Sequence, residues 1–286
     1  MAQLCNYFLL AAAYLAPLLQ SGSSTSSGYS NSGSPSDKQK VIELLKSLET
    51  GDTKPLSYLN ATNFIQHNLA LGPGVSGFRA FISALNGTGA TINTVRIFQE
   101  GNFVFAHSVS SVFGAFVSFD VFRFEGGLIV EHWDNSQANT GPNPSGHTMT
   151  DGPTQATDLD KTEQNKALIK DFFDTVFIGG NFSQLQHYFN GNIEIQHNPS
   201  IADGLDGLAA GLAAFAAAGR AISYTKVHQI HGEGNFVLVM SEGLLGSQPT
   251  GYYDLFRIEN GKVAEHWDVI QAIPPQSEWK NPNGKW

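Results

Sequence analysis

Apolar and polar positions change period twice along this chain, and both times in the same order. From Asp37, "DKQKVIELLKSLETGD" places Val41, Ile42, Leu44, Leu45 and Leu48 on one helical face, and Gly51 supplies a stop. "TNFIQHN" reads as a short strand, and "GVSGFRAFISALN" as a second helix entered through glycines. From Thr91 the period drops to two. "TINTVRIFQE", "NFVFAHSVSSV", "FVSFDVFRF" and "LIVEHWDNSQ" are rich in Val, Ile and Phe, and Gly-Asn or Gly-Gly turns separate them. The series then starts again. "KTEQNKALIKDFFDTVFIGG" predicts a helix starting near Thr162 and Asn165 and ending at Gly179-Gly180. "IEIQHN", the helix "GLDGLAAGLAAFAAAG" and four more strands through "KVAEHWDVIQ" follow.

The recurrence extends to letters. "EHWD" occurs at Glu131 to Asp134 and at Glu265 to Asp268, "EGNFV" begins at Glu100 and Glu233, and "IQHN" begins at Ile65 and Ile195. The offsets are 134, 133 and 130 residues (265 − 131, 233 − 100, 195 − 65). A slowly drifting offset is what a duplicated domain with small loop insertions produces, and this period is far too long for a solenoid repeat. Helices first and antiparallel strands afterwards predict α+β rather than βαβ units. The expected domains are residues 37–138 and 161–273, with a linker at 139–160 and a tail at 274–286. The repeats also differ. Arg79, His107 and Phe119 stand where the second has Ala209, Met240 and Tyr253, and the small residues of "LAAGLAAFAAAG" predict a roomier second cleft.

Composition narrows the function classes. A net charge of −9 with no Lys/Arg-rich stripe argues against a nucleic-acid partner. Cys5 is the single cysteine, so no internal disulfide or Cys-based zinc site can form. The uncharged residues 1–20 carry an apolar run from Tyr7 to Leu19, too short for a stable membrane span and suited to a signal peptide. A Ser/Gly-rich tether at 21–36 follows. The expected location is therefore secreted or extracytoplasmic, with cytoplasmic as the alternative.

In an extended strand alternate side chains share a face. His132 and Asp134 share one face against Glu131 and Trp133, as do His266 and Asp268 against Glu265 and Trp267. His67 and His197 of the "IQHN" strands are expected to join them, giving carboxylate–imidazole clusters suited to proton transfer. The same residues could instead hold the sheet ends together. "GPGVSG" at Gly72 to Gly77 matches a dinucleotide-binding pattern but lacks the βαβ context and reads as a helix-entry loop. His67, His132 and Asp134 also have the composition of a two-histidine, one-carboxylate iron site, the less favoured alternative. No metal and no cofactor is assigned.

"QHN" after the first helix, the Gly-rich helix entry, the terminal "EHWD" strand and above all "NKALIKDFFDTVFIGGNFSQLQHYF...IQHNP" resemble SnoaL-like proteins of the nuclear transport factor 2-like superfamily. The resemblance covers both repeats. It implies two tandem cone-shaped α+β barrels, each with helices packed on a strongly curved mixed sheet around a small-molecule pocket. It further implies an internal pseudo-dimer or a homodimer through the sheet faces, for which Trp133 and Trp267 would be anchors. In polyketide cyclase-related members a pocket carboxylate and histidine promote enolate chemistry. Asp134 and Asp268 would take the carboxylate role, with His67, His132, His197 and His266 as the histidines. Two functions are expected from this: cofactor-independent acid/base chemistry on a carbonyl or polyketide-like compound, or small-ligand binding without turnover.

Overall fold

A computed structural model describes residues 34–112 and 114–286. The apolar N-terminal run and the tether lie outside the described residues. Helix α1 (Asp37–Thr50) starts where the Ser36 hydroxyl accepts the Gln39 N–H and stops at Gly51, whose φ of 73° suits glycine. Strand β1 (Ile65–Gln66), helix α2 (Gly74–Leu85) and strands β2 (Ile92–Glu100), β3 (Phe103–Ser110), β4 (Phe116–Glu125) and β5 (Leu128–Ala138) complete the first half. The second half has α3 (Thr162–Phe172), β6 (Ile195–Gln196), α4 (Gly204–Ala217), β7 (Ile222–Glu233), β8 (Phe236–Leu245), β9 (Gln248–Glu259) and β10 (Lys262–Ala272). Neither Thr162 nor Asn165 caps α3. Asn165 is buried and donates to the Gly234 carbonyl at 2.9 Å instead. The helix widens into a π-helical turn at Phe173–Ile178 before Gly179.

Two five-stranded sheets result, ordered β1-β5-β4-β3-β2 and β6-β10-β9-β8-β7. The architecture is α+β, and each sheet is mixed: β1 runs parallel to β5 and β6 parallel to β10, while the other neighbours are antiparallel. Each sheet covers its helices with one face. Val41, Leu44, Phe78, Ile82, Val104 and Phe122 fill the first core, and Ile169, Phe172, Phe173, Val237 and Phe256 the second. In "GPGVSG" the glycine at 77 packs so close to Gly72 that a Cβ would overlap the Gly72 carbonyl, and Gly207 meets Ala202 in the same way. Helix entry explains the pattern, and no parallel βαβ unit accompanies it.

The opposite faces of the two sheets pack on each other. Phe98, Phe105, Val121, Trp133, Phe236, Leu238 and Trp267 form one buried cluster between them. Polar contacts across this junction are reciprocal. Glu100 accepts from Lys166 and from the Gly232 N–H of the second half, while Glu233 accepts from Lys38 and the Gln99 N–H of the first. Gln137 accepts the Ile270 N–H at 2.8 Å, and Gln271 the Ser136 N–H at 3.3 Å. The repeated "EGN" is thus a junction motif.

The segments that follow each sheet cross over. After β5 the chain runs onto the second half: Asn143 donates to the Gln196 and Ile201 carbonyls at 2.6 and 2.9 Å. After β10 it returns to the first half, where Asn281 donates to the Asn68 and Leu71 carbonyls at 2.8 and 3.0 Å. Both asparagines open an Asn-Pro-x-Gly turn, in which Oδ1 accepts the N–H two residues on. The expected linker and tail thus share a repeated motif and pack on the opposite halves. Buried Arg96 anchors the first arm, donating from Nε to the Pro153 carbonyl at 2.7 Å and from Nη1 to Thr150 at 3.1 Å.

Candidate functional site

Strand register decides which side chains meet. Parallel pairing sets Gln66 opposite His132 and Gln196 opposite His266. The residues that share the helix-covered face with each His-x-Asp pair are therefore Gln66 and Asn68, or Gln196 and Asn198. His67 and His197 project to the other face, and this corrects the expected clustering. His67 stacks on Trp133 with ring centroids 4.9 Å apart, and its Nε2 lies 3.0 Å from Glu131. His197 stacks on Trp267 at 4.6 Å, with its Nε2 2.8 Å from Glu265.

In the second half the pocket-side group is well defined. Gln196 Oε1 accepts the Asn198 backbone N–H at 2.9 Å, so it is the amide oxygen that faces His266 Nδ1, also at 2.9 Å. Nε2 of His266 lies 3.0 Å from Asp254 Oδ1. Both ring nitrogens therefore face acceptor oxygens, an arrangement that favours the protonated ring. Burial alone would lower its pKa, but the Asp254 hydrogen bond and the charges of Asp268, Asp254 and Glu194 outweigh burial and raise it. Asp254 and Asp268 stand directly opposite on β9 and β10. Two facing carboxylates repel. His266 relieves one of them, and Asn198 Nδ2 donates to Asp268 Oδ2 at 2.7 Å. Asp268 Oδ1 stays buried without a partner among the described residues, as do Asp254 Oδ2 and Glu194 Oε2. Burial foremost raises Asp268 to about 6 and Glu194 to about 7. Tyr224, raised well above its usual range by burial and Asp254, stays protonated and donates to Asp254 Oδ1 at 3.2 Å.

These groups line a pocket walled by Phe172, Phe177, Ile201, Leu208 and Leu212, with about 450 Å³ of space including its mouth. An apolar cleft with a few convergent polar groups of near-neutral pKa suits proton transfer to or from a small bound molecule.

The first half repeats part of this. His132 Nδ1 lies 2.9 Å from Gln66 Oε1 and its Nε2 3.1 Å from Asp120, while Asn68 donates to Asp134. Three replacements alter the site. Phe64 stands where Glu194 does, Phe78 where Leu208 does, and Ser118 where Tyr252 does. Phe78 meets the His132 ring edge-on at 6.3 Å, and the Ser118 hydroxyl satisfies Asp120 at 2.9 Å. Phe78 thus puts more bulk beside the histidine than Leu208 does, whereas Ser118 is smaller than Tyr252. Sequence reasoning missed Glu194, Tyr224, Asp120 and Asp254. The signal for the last two was the shared Asp in "FDVF" and "YDLF".

The Asp120/His132/Asp134 and Asp254/His266/Asp268 sets each bring possible ligand atoms within 4.8 Å of one another. Each set holds one histidine and two carboxylates, and neither includes the second histidine that a two-histidine, one-carboxylate site needs. The sequence-stated combination of His67 with His132 and Asp134 is not assembled, since His67 is on the other face.

A search of curated proteins finds no match. Solved structures of low identity align with part of the chain. TsrD from Streptomyces laurentii is 22% identical over 36% of this chain and 92% of its own, with a TM-score of 0.31. IdmH from Streptomyces antibioticus, described as a candidate polyketide cyclase, is 22% identical over 34% and 89%, with a TM-score of 0.30. A candidate ketosteroid isomerase from Kribbella flavida is 18% identical over 40% and 84%, with a TM-score of 0.33. Among the described residues no helix is long and apolar enough to cross a membrane. Residues 169–266, which carry Glu194, Tyr224, Asp254 and His266, match the family described as the SnoaL-like domain.

Proposed function

We propose that the second half binds a small carbonyl or polyketide-like molecule and moves a proton on it, in aldol-type or cyclisation chemistry. One observation carries the reading: Asp268 presents an unpartnered, buried carboxylate oxygen beside His266, at a pKa of about 6. Such a group is a base poised near neutrality. Glu194, at about 7, is a carboxylic acid for part of the time at neutral pH and can donate to a developing enolate oxygen. The first half, with Phe64 and Phe78 in the corresponding places, is a second copy of the same domain with a closed site. The two copies form an internal pseudo-dimer through their sheet faces. Export through the apolar Tyr7 to Leu19 run is proposed with it; N-terminal sequencing of secreted protein should find a start between Gln20 and Ser36.

Deuterium exchange next to the carbonyl of a panel of small ketones and β-keto compounds, followed by NMR, tests the chemistry. Asp268→Asn should slow exchange by about 10²–10⁴-fold, the usual contribution of a positioned base, while ligand binding survives. Binding without exchange in the wild type would replace the catalytic reading by that of a carrier. Leu208→Phe, which copies the first half, should weaken ligand binding at least about tenfold, or about 1.4 kcal/mol, with the fold retained.

A further inference from the structure

Away from the pocket, the first crossing arm and the second half bring together His147, Asp151 and His197. One possible ligand atom from each lies within 4.8 Å of the others. Asp151 sits between the two histidines. Its Oδ1 is 2.9 Å from His197 Nδ1, and its Oδ2 is 3.6 Å from His147 Nδ1. Donor atoms about 2.0–2.2 Å from a tetrahedral zinc ion are about 3.3 Å from each other, so a set already within 4.8 Å needs only small side-chain adjustments to close on an ion.

The far side of each ring matters as much. His197 Nε2 lies 2.8 Å from Glu265, and His147 Nε2 lies 3.2 Å from Asp203. Each imidazole can thus donate its Nε2–H to a carboxylate while turning Nδ1 to the shared Asp151. That is the outer-sphere arrangement that orients metal-bound histidines. The frame is stiff on one side. Glu265 is itself held by Arg257 at 2.6 Å, and the His197 ring stacks on Trp267 with an interplanar angle of 8°. It is open on the other, where the side chains of His147 and Asp151 are 33% and 44% exposed. The Thr148 carbonyl, 2.7 Å from His197 Nδ1, occupies the hydrogen-bonding direction that an ion would take over. The first half provides an internal comparison. His67 there meets the Gly284 carbonyl at 2.9 Å in the same way, but Lys285 stands where His147 does. Its Nζ donates to the Asp134 carbonyl and to Gln271, and no ligand set forms around His67 among the described residues.

We propose that His147, Asp151 and His197 form a divalent-metal site of zinc type, with solvent completing the coordination, that fastens the crossing arm to the second half.

Tag-free full-length protein, stripped with chelator, should take up one Co(II) per chain with the visible absorption of a four-coordinate nitrogen/oxygen site. Zn(II) should displace it and raise Tm. His147→Ala and Asp151→Asn, both at partly exposed loop positions, should lose the spectrum and the Tm rise while far-UV circular dichroism stays unchanged. Asp203→Asn should bind about 10–100-fold more weakly, the usual effect of losing an outer-sphere partner. Absence of a Co(II) spectrum and of a zinc-dependent Tm rise in the wild type would overturn the proposal. So would binding that His147→Ala leaves unchanged.

Discussion

Glu194→Gln is expected to remove a loss of stability that the wild type suffers as pH rises from about 4.5 to 7. The folded chain holds this carboxyl at about 7 against a reference of 4.5, burial being the main cause. A raised folded-state pKa means that the native protein binds the proton more tightly than the unfolded chain does. Its stabilising effect is therefore complete below the unfolded pKa and disappears as pH climbs through the folded one. A shift of that size corresponds to about 3 kcal/mol between the two limits. Asp268, held at about 6 against 3.8, acts in the same direction, and so does the raised His266. Buried His231, lowered to about 4, and His107, lowered well below 6.5, act in the opposite direction, so the Glu194 contribution is read from the difference between the wild type and the variant. Urea unfolding at a series of pH values measures it. The wild type minus the Gln variant should fall by about 3 kcal/mol across this range, whatever constant offset the new amide adds. Parallel curves would show that Glu194 is solvated in the native state and would remove it from the pocket chemistry.

Trp267→Ala is expected to cost about 3–5 kcal/mol, the range for truncating a large buried aromatic. The ring is fully buried in the cluster between the sheets. Its indole N–H donates to the Asp151 carbonyl at 3.0 Å, His197 stacks on it, and the Arg96 guanidinium lies 4.4 Å from its centroid. Removing the ring therefore frees the crossing arm as well as opening a cavity, and Arg96 loses a face to rest on. Urea unfolding followed by circular dichroism reads the loss. A cost below about 1 kcal/mol would mean that the two sheets are held mainly by their polar exchange.

How much of this was readable from letters depends on the kind of contact involved. Alternation within β5 and β10 correctly separates His132 and Asp134 from Glu131 and Trp133, because the period of a strand is local geometry. The face taken by His67 was not readable. It depends on the parallel register of a two-residue strand against a partner 66 residues away (Gln66 with His132), and a slip of one residue inverts the assignment. The pocket's openness was half visible. The small-residue character of "LAAGLAAFAAAG" pointed to a roomier second cleft, yet Leu208 in place of Phe78 gains meaning only once both are seen beside the histidine. Glu194 escaped because a lone acid before "IQHN" is ordinarily solvated, and only burial moves its titration close to neutrality.

The exchange of arms gives errors in this chain an unusual address. A stop codon after Ala272 would leave every strand of both sheets encoded. The carbonyls that lose donors would nevertheless be those of Gln66, Asn68, Leu69 and Leu71, some two hundred residues earlier, in the half whose own message is intact.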